Sequence, residues 1–222
     1  MIKLFFYKFV LKLISMSRSK PQLVGLNSTF RVFAETEKNR VGNTLIYLAE
    51  RISDLSKTKL LKLVYLLDVY TTKQTGIPFL GLRYEVWRMG PVNQDLYAEF
   101  SSSSKIFDNY VDIDNTGAFP VIRPKKSFED DEFSDQDIDI LDAVIEKYGA
   151  YQANELSLIT HKPGGLWDTA AEKNGLKDFF NNSQTHTTNC LINLKDLLDD
   201  DVKKQKYEGY LEDERIQQTL NA

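Results

Sequence analysis

Lys59–Phe100 reads KLLKLVYLLDVYTTKQTGIPFLGLRYEVWRMGPVNQDLYAEF, and this stretch decides the fold. Lys59–Tyr70 places apolar or aromatic side chains on nearly every side of a 3.6-residue helix. That is the pattern of a helix buried all round, not of a surface amphipath. Ser56 stands where an N-cap belongs. Gly76 and Pro78 stop the helix, Gly by accepting a left-handed turn and Pro by refusing to continue. Leu82–Met89 then suits a strand, with Tyr84, Val86 and Trp87 supplying β-favouring bulk. Gly90-Pro91 breaks it. Asn93 can cap a second helix whose face carries Leu96, Tyr97 and Phe100.

Outward from this stretch the same periodicities continue. Val41, Leu45, Leu48, Ala49, Ile52 and Leu55 recur at helical spacing and predict an amphipathic helix ahead of the central one. Ser101–Ser104 is a four-serine run that reads as a loop or a frayed helix end. Tyr110–Ile113 alternates, Asp114–Gly117 is a turn signal, and Phe119–Ile122 returns, with Pro120 pointing to an edge position. Ser134 and Asp137 have the spacing of a capping box, followed by an apolar face of Ile138, Leu141, Val144, Ile145 and Tyr148 that Gly149 ends. Gln152–Thr160 predicts another helix, His161–Leu166 a loop, and Trp167 the start of a further helix.

The helices are therefore expected at about 41–55, 57–75, 93–101, 135–148, 152–160 and 167–174, and the strands at about 82–89, 110–113 and 119–123. Strands clustered mid-chain among more numerous helices favour an α+β fold, a mostly helical single domain with a small antiparallel β-sheet inserted mid-chain. The expected core is Leu60, Leu63, Val64, Leu67, Trp87, Leu141, Ile145 and Leu156. Past Asn174-Gly175 the pattern weakens. Asn181–Asn189 is polar, Leu191–Leu198 apolar-rich, Asp199–Asp201 a charge run, and Val202–Leu220 an exposed helix. The expected division is residues 1–39 as an N-terminal extension and linker, 40–175 as the domain, and 176–222 as a partly helical C-terminal extension.

A chain of 222 residues buries about 70% of its unfolded surface and needs no disulfide to hold a core. Its single cysteine, Cys190, has no intrachain partner, which suits a reducing cytoplasm. The net charge of −4 is poorly suited to gripping phosphates by bulk attraction. Met1–Ile14, MIKLFFYKFVLKLI, is too short to span a bilayer, which takes roughly 20 residues. Lys3, Lys8 and Lys12 interrupt its apolar run, unlike a signal peptide. Three readings stay open for this segment: translation starting at Met16 with an upstream extension, a basic helix lying on an anionic membrane, or a signal peptide.

Motifs for phosphate loops, zinc proteases, dithiols and nucleophile elbows are missing from the sequence. Two histidines and one cysteine make a soft-ligand zinc site improbable. His161 is the best acid–base candidate, although capping a helix or filling a polar niche beside Trp167 suits it better. Trp87 reads as core packing first and as a partner anchor second. If Trp87 faces inward, Arg88 faces the opposite side of the strand, as a salt-bridge residue or as part of a binding face. Lys59 and Lys62 are expected to lay their stems over apolar surface with solvated heads. The acidic residues Asp130, Asp131 and Glu132 and the Asp199–Asp201 run read as solvated faces, with attraction of a basic partner as the alternative.

Lys59–Tyr65, Gly76-Ile77-Pro78, Glu85–Val92 and Tyr97–Phe100, in that order, resemble the Panacea domain, also called the SocA-like antitoxin domain. Leu156–His161 followed by Leu166-Trp167 resembles the family's second block, in which a proline precedes the tryptophan; here Leu166 takes that place. The resemblance extends over roughly residues 40–175. It implies a cytoplasmic, non-enzymatic antitoxin that needs no cofactor, sits on a prophage or other mobile element, and neutralises by direct binding a toxin encoded by the adjacent gene. The partner-binding face is expected at Arg88, Gly90, Pro91, Val92 and Asn93, with His161 and Trp167 as a second surface. Neither nucleic acid nor a membrane is an expected partner, apart from interfacial placement of residues 1–14. The competing readings are a DNA-binding regulator, whose nearest basic helix carries Lys57, Lys59 and Lys62, and a hydrolase using His161 with a nearby carboxylate.

Overall fold

The computed structural model describes residues 33–101 and 105–220. Met1–Ile14 and most of the N-terminal linker, with the readings given for them, lie outside the described residues. Helix α1 (Glu35–Arg51) starts earlier than its apolar spacing predicts, because the Glu37 carboxylate accepts the Ala34 N–H at 3.0 Å and closes the first turn. Helix α2 (Lys57–Thr75) matches expectation at both ends. The Ser56 hydroxyl accepts the Lys59 N–H at its start, and Gly76 takes the left-handed conformation, φ 88°, at its end. Every residue from Lys59 to Asp68 on α2 is buried. The helix is the axis about which the other elements pack.

The hairpin β1 (Glu85–Trp87) and β2 (Gly90–Val92) follows. Its register pairs Glu85 with Val92, Val86 with Pro91 and Trp87 with Gly90. Helix α3 (Gln94–Glu99) is capped by the Asn93 carboxamide, which accepts the Leu96 N–H at 2.9 Å. A second hairpin, β3 (Val111–Asp114) with β4 (Val121–Pro124), leans on α1, and Ile122 donates to Leu55 O at 2.7 Å. Helices α4 (Asp135–Tyr148), α5 (Ala153–Thr160), α6 (Leu166–Lys173) and α7 (Leu176–Asn182) complete the middle of the chain. A 3₁₀ turn (Leu194–Leu197) leads into α8 (Asp201–Leu220).

The fold is mostly helical α+β, with small antiparallel strand pairs mid-chain. The strands are not one three-stranded sheet, however. The stretch expected at about 82–89 pairs with Gly90–Val92, read from sequence as a break, and the other two strands pair with each other. Pro91 is tolerated because it lies opposite Val86 in the position between bonded pairs, where its missing N–H faces away from β1. The expected core residues are buried, except that Ile145 is half-buried. Leu176, Phe180, Ile192, Leu194, Leu198 and Tyr207, all beyond residue 175, join the same apolar cluster as Leu60, Leu63 and Val64. No helix among the described residues is long and apolar enough to cross a membrane.

Candidate functional site

Two polar groups on α2 fix the geometry of the turn that follows it. Asp68 is fully buried. Its carboxylate accepts the N–H groups of Leu80 at 2.6 Å and Leu82 at 3.2 Å, and the Tyr84 hydroxyl lies 2.8 Å from it. Burial raises the Asp68 carboxyl above its ordinary range, and these donors offset part of the rise. The carboxylate thereby straps Leu80–Tyr84 across α2 and delivers the chain to β1.

Lys62, six residues earlier on the same helix, is 2% exposed. Its ammonium donates to Met89 O at 2.7 Å and to Pro91 O at 3.2 Å. Among the described residues no carboxylate pairs with it, and burial alone pulls its pKa down to about 7. Both carbonyls belong to the β1–β2 hairpin, so Lys62 pins the Arg88–Pro91 turn from beneath. Gly90 completes the fit at φ 106°. A Cβ there would overlap Lys62 Nζ and stand 2.7 Å from His161 Cε1. Only glycine lets the turn settle this close to both groups.

His161 and Trp167 close the other side. His161 is the C-cap of α5, and its Nδ1 lies 2.6 Å from Ser157 O. Its ring centroid is 4.2 Å from that of Trp167. The Trp167 indole N–H donates to Trp87 O at 2.9 Å, which ties α6 to β1. Asp168 is engaged by Lys177 at 2.7 Å and by the Gly164 N–H at 2.9 Å. These bonds, first the one to Lys177, hold its pKa below the usual carboxylate range.

The structure thus brings Arg88, Gly90, His161 and Trp167 into one neighbourhood, but their exposure differs. Arg88 is exposed, and among the described residues its guanidinium makes no ion pair or hydrogen bond. Met89 beside it is 68% exposed. His161 is half-buried. Gly90, Pro91, Val92 and Trp167 are buried, and Asn93 is 3% exposed, spent on capping α3 and on donating to Arg83 O at 2.9 Å.

The expectation of solvated heads on Lys59 and Lys62 is corrected. Both are buried, because α2 is covered on all sides; Lys59 reaches Asp54 at 2.7 Å, and Lys62 the two hairpin carbonyls. The signal was present in the sequence: a lysine three residues into an all-round apolar helix has no solvent face to use. No cluster of His, Cys, Asp or Glu able to hold a metal occurs among the described residues.

Comparison with known families bears directly on this geometry. The family model for antitoxin SocA-like, Panacea domain, matches residues 60–168. Those residues are a Panacea domain. It begins on α2 beside Lys62 and ends on α6 beside Trp167, so Lys62, the β1–β2 hairpin, His161 and Trp167 all lie within the Panacea match. Helices α1, α7 and α8 and the segment between α7 and α8 lie outside it. No curated protein and no solved structure matches the chain.

Proposed function

We propose that this protein is an antitoxin that silences a protein toxin, encoded by the adjacent gene, by binding it directly. The Panacea domain match supports the antitoxin role in general. The observation that carries direct binding is the arrangement around Arg88. A guanidinium that no described residue pairs with and an exposed Met89 stand on a turn pinned by Lys62, next to the His161 and Trp167 rings. Arginine, methionine and aromatic residues are enriched where protein interfaces gain most of their energy, and a pre-ordered turn has little conformational entropy left to lose on binding. Arg88, Met89 and the exposed part of His161 form the contact face in this reading. Gly90, Pro91, Val92, Asn93 and Trp167 set its shape from below.

The regulator alternative loses its basic helix, since Lys59 and Lys62 are buried and Lys57 donates to Ser101 Oγ at 2.8 Å. The hydrolase alternative requires a carboxylate to orient His161, and Asp168 is already held by Lys177.

The test is growth on expression of the adjacent gene with and without this protein. Toxicity of the neighbour alone, rescue by the wild-type chain and co-purification of the two are expected. Arg88→Glu in a folded variant should abolish rescue, whereas His161→Ala, which trims a half-buried part of the face, should weaken it less. A neighbour that does not impair growth, or rescue without co-purification, would overturn direct neutralisation.

A further inference from the structure

Helix α5 packs on α2, buries Leu156 and Thr160, and exposes Asn154 and Glu155. Leu158 breaks this pattern, because it is 75% exposed. A lone exposed leucine is ordinary, but this one has an apolar companion. His161 lies three residues on, so the two side chains share a face of the helix. The His161 Cε1 atom stands 2.7 Å from where a Cβ on Gly90 would be, and Met89, 68% exposed, precedes that glycine. Leu158 and Met89 thus stand on two elements that meet at the His161 ring.

Both halves of this patch are held in place. Lys62 Nζ donates to Met89 O at 2.7 Å, and His161 Nδ1 lies 2.6 Å from Ser157 O. Apolar groups on a pre-ordered support gain contact area with little ordering entropy to offset.

Charge around the patch is one-sided. Lys162 follows His161 and is exposed, as is Arg88 beside Met89, and neither meets a carboxylate among the described residues. The carboxylates of the same neighbourhood are already engaged. Asp168 is held by Lys177, Glu85 accepts the Trp87 indole N–H at 2.8 Å, and Glu155 accepts the Gln152 N–H at 2.7 Å. A chain of net charge −4 therefore presents a locally cationic, partly apolar surface here. Pairing this patch with itself in a twofold dimer would bring four cations together. A nucleic-acid backbone would set charged phosphates against Met89 and Leu158. An acidic protein segment with an apolar side chain answers both features of the surface.

We infer that the contact face extends from the turn onto α5, where Leu158 and Lys162 receive a toxin segment in which an apolar side chain is flanked by carboxylates. The inference rests on the reading of the chain as a toxin-binding protein. The apolar side chain packs on Leu158 and Met89, and the carboxylates meet Lys162 and Arg88. Apolar contact supplies affinity, while the exposed charges set the encounter rate and the salt dependence.

The experiment uses the full chain and the product of the adjacent gene. Leu158→Ser and Lys162→Glu alter exposed side chains, so their melts should match that of the wild type. Each should bind the product about ten-fold or more weakly. Phe119→Ser, which removes a side chain 78% exposed on the β3–β4 turn, should bind as the wild type does. Raising salt from about 0.05 to about 0.5 M should weaken the wild type more steeply than Lys162→Glu. Unchanged affinity of either α5 variant while Arg88→Glu still weakens binding, an equal loss in Phe119→Ser, or binding indifferent to salt would overturn the inference and leave the antitoxin reading standing. Failure of the wild type to bind the product at all would overturn both. A dimer of the chain alone that Lys162→Glu dissolves, or a duplex oligonucleotide whose binding Lys162→Glu abolishes while the product binds unchanged, would assign the cations to another occupant and overturn the inference.

Discussion

Replacing Lys62 by methionine changes stability by an amount that depends on pH, and the direction follows from burial. The ammonium's pKa falls from 10.5 to about 7 on folding. As pH falls from alkaline values, the unfolded chain therefore takes up the proton first, and stability declines until the native lysine is also protonated. Stability from this group thus rises with pH from about 7 to about 10 and is flat below about 7. At about pH 7 the opposing contribution is about 4 kcal/mol, from 1.36 kcal/mol per pKa unit. Methionine fits the apolar channel and removes that contribution. It also leaves Met89 O and Pro91 O without their donor, at about 1–3 kcal/mol each. The two effects nearly cancel at about pH 7, and the variant is the less stable protein at about pH 9. The stability difference between wild type and Lys62→Met should therefore widen in favour of wild type by about 2 kcal/mol between about pH 7 and about pH 9. Urea unfolding followed by circular dichroism across that range measures it, and other titrating groups cancel in the difference. A constant difference across the range would refute the claim that Lys62 is buried without a counter-charge among the described residues.

Other substitutions probe the same framework. Gly90→Ala should destabilise by about 1–3 kcal/mol in thermal or urea melts, because the turn carries φ 106° and a Cβ would strike Lys62 Nζ and His161. An unchanged melt would show that the turn can relax away from both. Leu63→Ala should cost about 2–5 kcal/mol, since Leu63 has no exposed surface at the centre of α2. Asp68→Ala leaves the Leu80 and Leu82 amides without acceptors and should cost about 2–5 kcal/mol, with faster exchange of those two amides than in the wild type. Retention of their protection would place their acceptor elsewhere.

Elements whose ends are set by local chemistry were readable from sequence. Helices α2 and α4 begin at Ser56 and Ser134, whose side chains bond amides one turn ahead, and their predicted bounds match the observed ones. Misreadings arose where a tertiary contact overrode a local signal. The strand expected from Leu82 begins only at Glu85, because the Asp68 carboxylate takes the Leu80 and Leu82 amides. Gly90-Pro91 reads as a break and is instead a strand, because Lys62 supplies a donor to its carbonyl from α2. The main-chain bonds that tie His186, Cys190 and Ile192 to β1 and its flanks are hidden by the polar composition of residues 181–189. For the candidate site, the sequence placed Arg88 and His161 in the right region. It could not show that Asn93 is consumed by capping or that Lys62 is the pin beneath the turn.

The chain's two tryptophans, Trp87 and Trp167, are joined by the indole hydrogen bond from Trp167 to Trp87 O. All tryptophan emission therefore originates at the hairpin, within a few ångströms of the residues in the proposed contact face. Both rings are shielded from water, so the native protein should emit toward the blue, and displacement of either ring should redden the spectrum. The His161 imidazole lies against the Trp167 indole at 4.2 Å between centroids. The molecule carries a built-in optical reporter at this location, and titrating a partner against unmodified protein can be followed there directly.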